Sequence, residues 1–148
     1  MPTGTPTRIS PNEDVRERRS LELENQCAAR LAAQGYRVQQ NPTQQQLAEA
    51  RRSTGDLGDP RKSPDYLIEG HIFDCYSPTR PVPPRAVWSA VSKKIDKLQV
   101  QRVVLNLEDW RGDLRDLQRQ FDDWPVEGLK ELVAVTRNGR IVQIVRPT

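Results

Sequence analysis

The chain has a single histidine, His71, in 148 residues. That excludes any mechanism needing two histidines from one chain. There are two cysteines, Cys27 and Cys75. Two thiols cannot build a disulfide framework, and both stand in apolar patterns, so buried free thiols are expected. His71 and Cys75 would need Cys27 from another element to hold a zinc ion, and no structural zinc site is expected. No apolar run approaches the ~18 residues of a membrane span. Met1 is followed by Pro, Thr and Gly rather than an apolar stretch, so no secretory signal is expected. Apolar residues make up only 35% of the chain against 29% charged, which is lean for a globular domain but outside the disordered regime. The net charge of +3 is compatible with a polyanionic partner without demanding one.

Residues 1–18 (MPTGTPTRISPNEDVRER) carry no apolar period and read as a flexible leader, with one domain over 19–148. Over 20–34, Leu21, Glu24, Cys27, Ala28, Leu31 and Ala32 recur at helical spacing, and Gly35 ends the helix. Tyr36, Arg37 and Val38 alternate as a short strand. Thr43 caps a polar helix that runs to Arg52, and 53–63 is a loop. The densest strand signal is 64–76 (PDYLIEGHIFDCY), two β-rich runs about Glu69-Gly70-His71. Four prolines make 77–85 an extended connector into a helix over 86–98. The run 102–107 is continuously apolar, the pattern of a buried strand. An amphipathic helix follows over 113–124, and 129–145 holds two strands joined at Asn138-Gly139, a two-residue hairpin dipeptide. The order α-β-α-ββ-α-β-α-ββ predicts an α/β (α+β) fold, a mixed β-sheet flanked by helices.

The first hairpin decides whether two carboxylates meet. A two-residue loop, Glu69-Gly70, pairs Ile68 with His71, Leu67 with Ile72, Tyr66 with Phe73 and Asp65 with Asp74. Asp65 and Asp74 then face each other with Cβ atoms roughly 5 Å apart. Like charges this close repel unless a cation lies between them. A divalent ion that prefers carboxylate oxygens, Mg²⁺ or Mn²⁺, is the natural compensation. A three-residue loop would instead pair Asp65 with Cys75 and turn Asp74 to the other face. Strand-end aspartates also cap turns or face water, so spacing alone leaves both readings open. Glu24, on an apolar stripe, needs a partner: Arg30, Arg37 or a metal site. Lys94 lies near the apolar stripe of the third helix, where snorkelling is the ordinary role of a lysine. His71, beside the turn, is expected to be exposed. Glu108-Asp109 and Asp122-Asp123 are expected to cap turns or face water.

Four strings then stand out together: Glu24-Asn25, GYRVQQNP (35–42), PDYLIEGHIFDCYSPT (64–79) and RVVLNL (102–107). Over about residues 20–147 they resemble the C-terminal nuclease domains of contact-dependent growth-inhibition toxins, the CdiA C-terminal tRNase type. The resemblance implies a PD-(D/E)xK nuclease-like fold, in which a mixed sheet carries an acidic triad and a lysine. Glu24 matches the helix glutamate, Asp65 of Pro64-Asp65 the first strand carboxylate, and Asp74 the second. The pattern breaks two positions later, where Tyr76 replaces the usual lysine. Lys94 on the following helix, with Lys93 second, is then the candidate, and Gln99 in the turn after that helix is a further one.

The implied activity is metal-dependent hydrolysis of tRNA phosphodiesters by a nuclease toxin. Asp65, Asp74 and the Cys75 backbone carbonyl would hold a divalent cation, Mg²⁺ first and Mn²⁺ or Zn²⁺ as alternatives. Glu24 would orient a water or serve a second ion, and Lys94 would position the attacking water or neutralise the transition state. Arg61, Lys62, Arg80, Arg85, Lys93 and Lys97 flank the site in sequence as phosphate contacts. Tyr76 and Trp88 are candidates for base stacking or for core. A DNase of the same fold and a non-catalytic nucleic-acid- or protein-binding module stay open, the latter because of Tyr76. The resemblance further implies a cognate immunity protein with an acidic surface over the basic cleft, a monomer, and no membrane insertion by this segment. It also implies delivery into the target-cell cytoplasm as part of a larger exported protein.

Overall fold

The computed structural model describes residues 1–147. Among these, the elements run β1 (Thr3–Gly4), α1 (Val15–Ala33), β2 (Val38–Gln40), α2 (Gln44–Thr54), β3 (Tyr66–Ile68), β4 (His71–Tyr76), α3 (Pro84–Asp96), β5 (Arg102–Asn106), α4 (Leu114–Asp123), β6 (Glu131–Val135) and β7 (Ile141–Val145). The strands form one seven-stranded sheet in chain order. The pairs β1–β2, β4–β5 and β5–β6 are parallel and the other three antiparallel. This is the expected mixed sheet flanked by helices. None of the helices among the described residues is long and apolar enough to cross a membrane.

The core is double-sided. Crossovers through α3 and α4 join the parallel pairs β4–β5 and β5–β6, and crossovers of the same hand put both helices on one face. With α2 they cover Ile72, Val103, Leu105, Leu132 and Ala134. On the other face α1 packs Cys27, Ala28 and Leu31 against Tyr66, Phe73, Val104 and Val133. Burial on both faces explains why β5 is an unbroken apolar run. Asn106 ends that run fully buried, its amide donating to Leu23 O at 2.9 Å and Gln26 Oε1 at 3.1 Å.

Two boundaries differ from the sequence reading. Helix α1 starts at Val15, where Asp14 Oδ1 accepts from Glu17 N at 2.9 Å. Its first turn is exposed, so it needs no apolar stripe and the periodicity missed it. Ahead of it, Thr3 and Gly4 pair with Gln39 and Gln40. Gly4 is required there: it has φ +78°, and a Cβ would run into Gln40 O. The segment 1–18 thus contains a strand and a helical turn.

The first hairpin has the two-residue loop and the predicted register, Tyr66↔Phe73, Leu67↔Ile72 and Ile68↔His71. Glu69 and Gly70 both have positive φ, +50° and +81°, the requirement of a primed turn. Glutamate tolerates this because Arg37 holds it, with Arg37 N donating to Oε1 and Nε to Oε2, both at 2.9 Å. The second hairpin corrects the expectation. Thr136 N donates to Arg140 O at 2.8 Å, which leaves a three-residue loop, Arg137-Asn138-Gly139. Gly139, at φ +82°, is its left-handed third residue.

Candidate active site

Strand β4 changes partner at Asp74. Phe73 still pairs with Tyr66 of β3, whereas Asp74 pairs with Val103 of β5. The aspartates hold this fork open. Asp65, just ahead of β3, donates its N–H to Asp74 Oδ1 at 3.2 Å, and Cys75 N–H donates to Asp65 Oδ2 at 2.8 Å. Each carboxylate thus takes a backbone N–H of the opposite segment. Asp65 O meanwhile accepts from Asn41 N at 2.8 Å, which keeps its backbone against the end of β2.

Lys94, in the last turn of α3, brings Nζ to 3.4 Å from Asp74 Oδ2, and Asp74 is only 4% exposed. From α1 comes Glu24, on one stripe with Glu17, Ser20 and Leu21. These residues, with Ser63, Asp65, Asp74, Cys75, Tyr76, Ser77, Lys94 and Gln99, line a cleft of about 280 Å³. A second cleft of about 410 Å³ adjoins it, sharing Glu17, Ser20, Tyr76 and Ser77 and adding Arg16 and Arg80.

The electrostatics single out Asp65. Burial first, then the charges of Asp74 and Glu24, push its carboxyl well above the usual carboxylate range. The Cys75 N–H and Lys94 offset this only in part. Behind the pair, the Cys75 thiol is pushed well above its ordinary range by contact with Cys27 and by burial. Both cysteines are free. A thiol held in its protonated form is a poor metal ligand, so the local donors are carboxylate and carbonyl oxygens. Among the described residues no three His, Cys, Asp or Glu side chains form a preformed cage. That donor set fits Mg²⁺, which is usually held by one or two carboxylates, keeping water and substrate phosphate as its remaining ligands.

The remaining candidates divide by place. Tyr76 and Gln99 line the cleft. Lys93 is exposed and does not line it, and neither do the exposed Arg85 and Lys97 or the half-buried Lys62. Arg61 is exposed and forks onto Asp59, with Nε at 3.1 Å and Nη2 at 3.0 Å. Trp88 does not line the cleft: half-buried, it packs against the core cluster under α2–α4 and donates its indole N–H to Trp124 O at 2.7 Å. Arg30 and Arg37 do not serve Glu24, since they pair with Glu108 at 3.0 Å and Glu69 at 2.9 Å. Glu108 and Asp109 are not turn caps facing water either, Asp109 receiving both Nε and Nη2 of Arg19 at 2.8 Å.

Several residues were outside the sequence reading. Glu17 and Ser20 extend the Glu24 stripe by helical spacing and would follow from an earlier helix start. Arg16 and Thr7 lie where no period exists, yet Thr7 Oγ1 donates to Glu24 Oε2. His71 is not free in solvent, its Nδ1 standing 3.0 Å from Asp56 Oδ2. Asp56, 2% exposed, also accepts from Ile72 N at 3.2 Å and Arg102 Nε at 3.2 Å. Burial alone would raise its carboxyl; His71, the Ile72 N–H and Arg102 outweigh that and hold it below the usual range.

The chain is similar in sequence and fold to known proteins. The sequence profile of the contact-dependent growth inhibition CdiA C-terminal domain matches residues 62–141. A protein of Burkholderia pseudomallei (strain 1026b) named tRNA nuclease CdiA-2 is 35% identical over 146 residues, 98% of this chain. The chain spans 4% of that relative's length. A chain solved in the CdiA-CT/CdiI toxin and immunity complex from Burkholderia pseudomallei matches with a TM-score of 0.83 at 32% identity, covering 98% of both chains.

Proposed function

The chain belongs to the family of contact-dependent growth inhibition CdiA C-terminal domains, and from that premise we propose that it is a metal-dependent endonuclease toxin that hydrolyses tRNA. The observation that carries the proposal is the convergence of Glu24, Asp65, Asp74 and Lys94, from four separate segments, on one cleft. Burial, then repulsion from Asp74 and Glu24, makes ionised Asp65 costly there, and a bound cation would offset that cost.

Asp65 and Asp74, with the Cys75 carbonyl, would hold a divalent ion. Mg²⁺, or Mn²⁺ in its place, supplies Lewis-acid activation of water and charge neutralisation at the phosphate. Glu24 orients the attacking water. Lys94, beside Asp74, presents its positive charge where negative charge grows on the phosphate. Arg16 and Arg80 in the adjoining cleft take neighbouring phosphates, giving salt-dependent affinity with little sequence information. Tyr76, at the junction of the clefts, offers a ring to an unstacked base.

The name of the relative, tRNA nuclease, supports tRNA over DNA as substrate. The toxin and immunity complex supports a cognate immunity protein, which presents acidic residues to the basic surface around the cleft. Delivery to a target-cell cytoplasm within a larger exported protein follows from the family.

The test incubates the purified chain with total tRNA or plasmid DNA, in Mg²⁺ or EDTA. The expected result is tRNA cleavage that EDTA and Asp65→Ala both abolish. Cleavage persisting in EDTA removes the metal, and cleavage persisting in Asp65→Ala removes the site. Preference for the plasmid makes the chain a DNase of this fold. Binding without cleavage makes it a non-catalytic module.

A further inference from the structure

We propose that Thr7 is a positioning residue of this site, and that the N-terminal strap over residues 3–7 holds Glu24 in its working orientation. The inference rests on the catalytic reading of Glu24 given above.

The strap is anchored at both ends. At its start Thr3 and Gly4 pair with Gln39 and Gln40 of β2. At its end Thr7 N donates to Asn25 Oδ1 at 2.8 Å, and Asn25 Nδ2 donates back to Thr7 O at 3.0 Å. Gln40 Nε2 fixes the same Asn25 oxygen at 2.9 Å. Between them the Asn41 amide donates to Thr5 O at 2.7 Å and to Thr7 Oγ1 at 3.1 Å. The backbone of Thr7 is therefore clamped to α1 at the residue that follows Glu24.

The hydroxyl then has one consistent role. An amide NH₂ only donates and an ionised carboxylate only accepts. Thr7 Oγ1 accepts from Asn41 Nδ2 and donates its O–H to Glu24 Oε2. The polarity of the chain Asn41→Thr7→Glu24 is thus fixed by the groups themselves. Glu24 needs such a restraint. Its charge raises Asp65 and is repelled in turn, and a glutamate side chain is free to swing away from the cleft. The bond from Thr7 occupies Oε2 and leaves Oε1 to the reaction.

The experiment compares Thr7→Val, which keeps the shape and removes the hydroxyl, with Thr7→Ser, which keeps the hydroxyl. Both are made in the full chain. Steady-state tRNA cleavage is measured at a temperature where circular dichroism shows each variant folded. Thr7→Val is expected to lower kcat about tenfold, the weight of one orienting hydrogen bond in the transition state. KM for tRNA and the melting temperature stay near the wild-type values, and Thr7→Ser restores kcat. Thr7→Ala carries the same expectation where the valine variant does not fold. An unchanged kcat in Thr7→Val overturns the proposal. So does a loss that serine fails to rescue, or one that only tracks the melting temperature. A raised kcat also overturns it, since the strap would then restrain the site rather than prepare it. Asp65→Ala in the same assay keeps two failures apart. If that variant cleaves tRNA, the nuclease site itself is wrong. If it is inactive while Thr7→Val runs at full rate, only the role of the strap is wrong.

Discussion

Asp56 and Asp65 stand at the two ends of the loop between α2 and β3, and burial raises the carboxyl of each. Their surroundings are opposite. Asp56 meets His71, Arg102 and a backbone N–H, with Lys130 Nζ at 3.7 Å, and ends below the usual carboxylate range. Asp65 meets Asp74 and Glu24 and ends well above it. A buried acid ringed by donors is a rivet. An acid shielded from water among other acids is an unbalanced charge that a bound proton or a further cation relieves. The same residue type, in one loop, serves the fold at one end and the chemistry at the other.

Substitution at each end tests that contrast. Asp65→Asn is expected to reduce tRNA cleavage by roughly 10³, the several kcal/mol that a metal-assisted site supplies. Its melting temperature should rise by about 2–4 °C, the shift of ~1 kcal/mol at this chain length. A fall in melting temperature would break the contrast. Asp56→Ala should behave in reverse. Removing it leaves Arg102 short of one buried partner, a cost of about 3–5 kcal/mol and roughly 10 °C in melting temperature. Activity per folded molecule should survive.

The pH dependence sharpens the same point. With its carboxyl raised, folded Asp65 keeps a proton that the unfolded chain has lost, so its contribution to stability falls as pH rises from ~4 toward the raised value. For Asp56, held low, stability is present above ~4 and is lost as pH falls through the depressed value. Melting curves in EDTA across this range should show Asp65→Asn gaining on the wild type as pH rises. Asp56→Ala should lose most at neutral pH and least in acid. If the two difference curves run parallel, the opposition between the two sites is wrong. The smallest effect is expected at the exposed Arg37–Glu69 pair, where Arg37→Ala should lower stability least of these substitutions in a denaturant titration.

What could be read from the sequence was local. Parity along one hairpin placed Asp65 against Asp74, because a two-residue turn leaves few registers open. Helical spacing placed Glu24 on an apolar stripe and Lys94 near one. Asp56 escaped because nothing near it in the chain explains it: its partners His71 and Arg102 lie 15 and 46 residues away and meet it only through packing. Thr7 escaped for the same reason, 17 residues from Glu24 in a stretch without periodicity. The Asn138-Gly139 signal gave the turn but not its length, since the glycine closes a three-residue loop. Trp88 and Tyr76 looked alike as aromatics, and both pack half-buried against the same core cluster; only Tyr76 also lines the cleft.

One property of the sheet bears on how the chain reaches its folded state. Every strand lies beside the strand that precedes it in the chain. The two hairpins close short loops, while the other pairings, from Thr3 with Gln39 to Arg102 with Glu131, each enclose one helix. The sheet can therefore grow one neighbouring strand at a time.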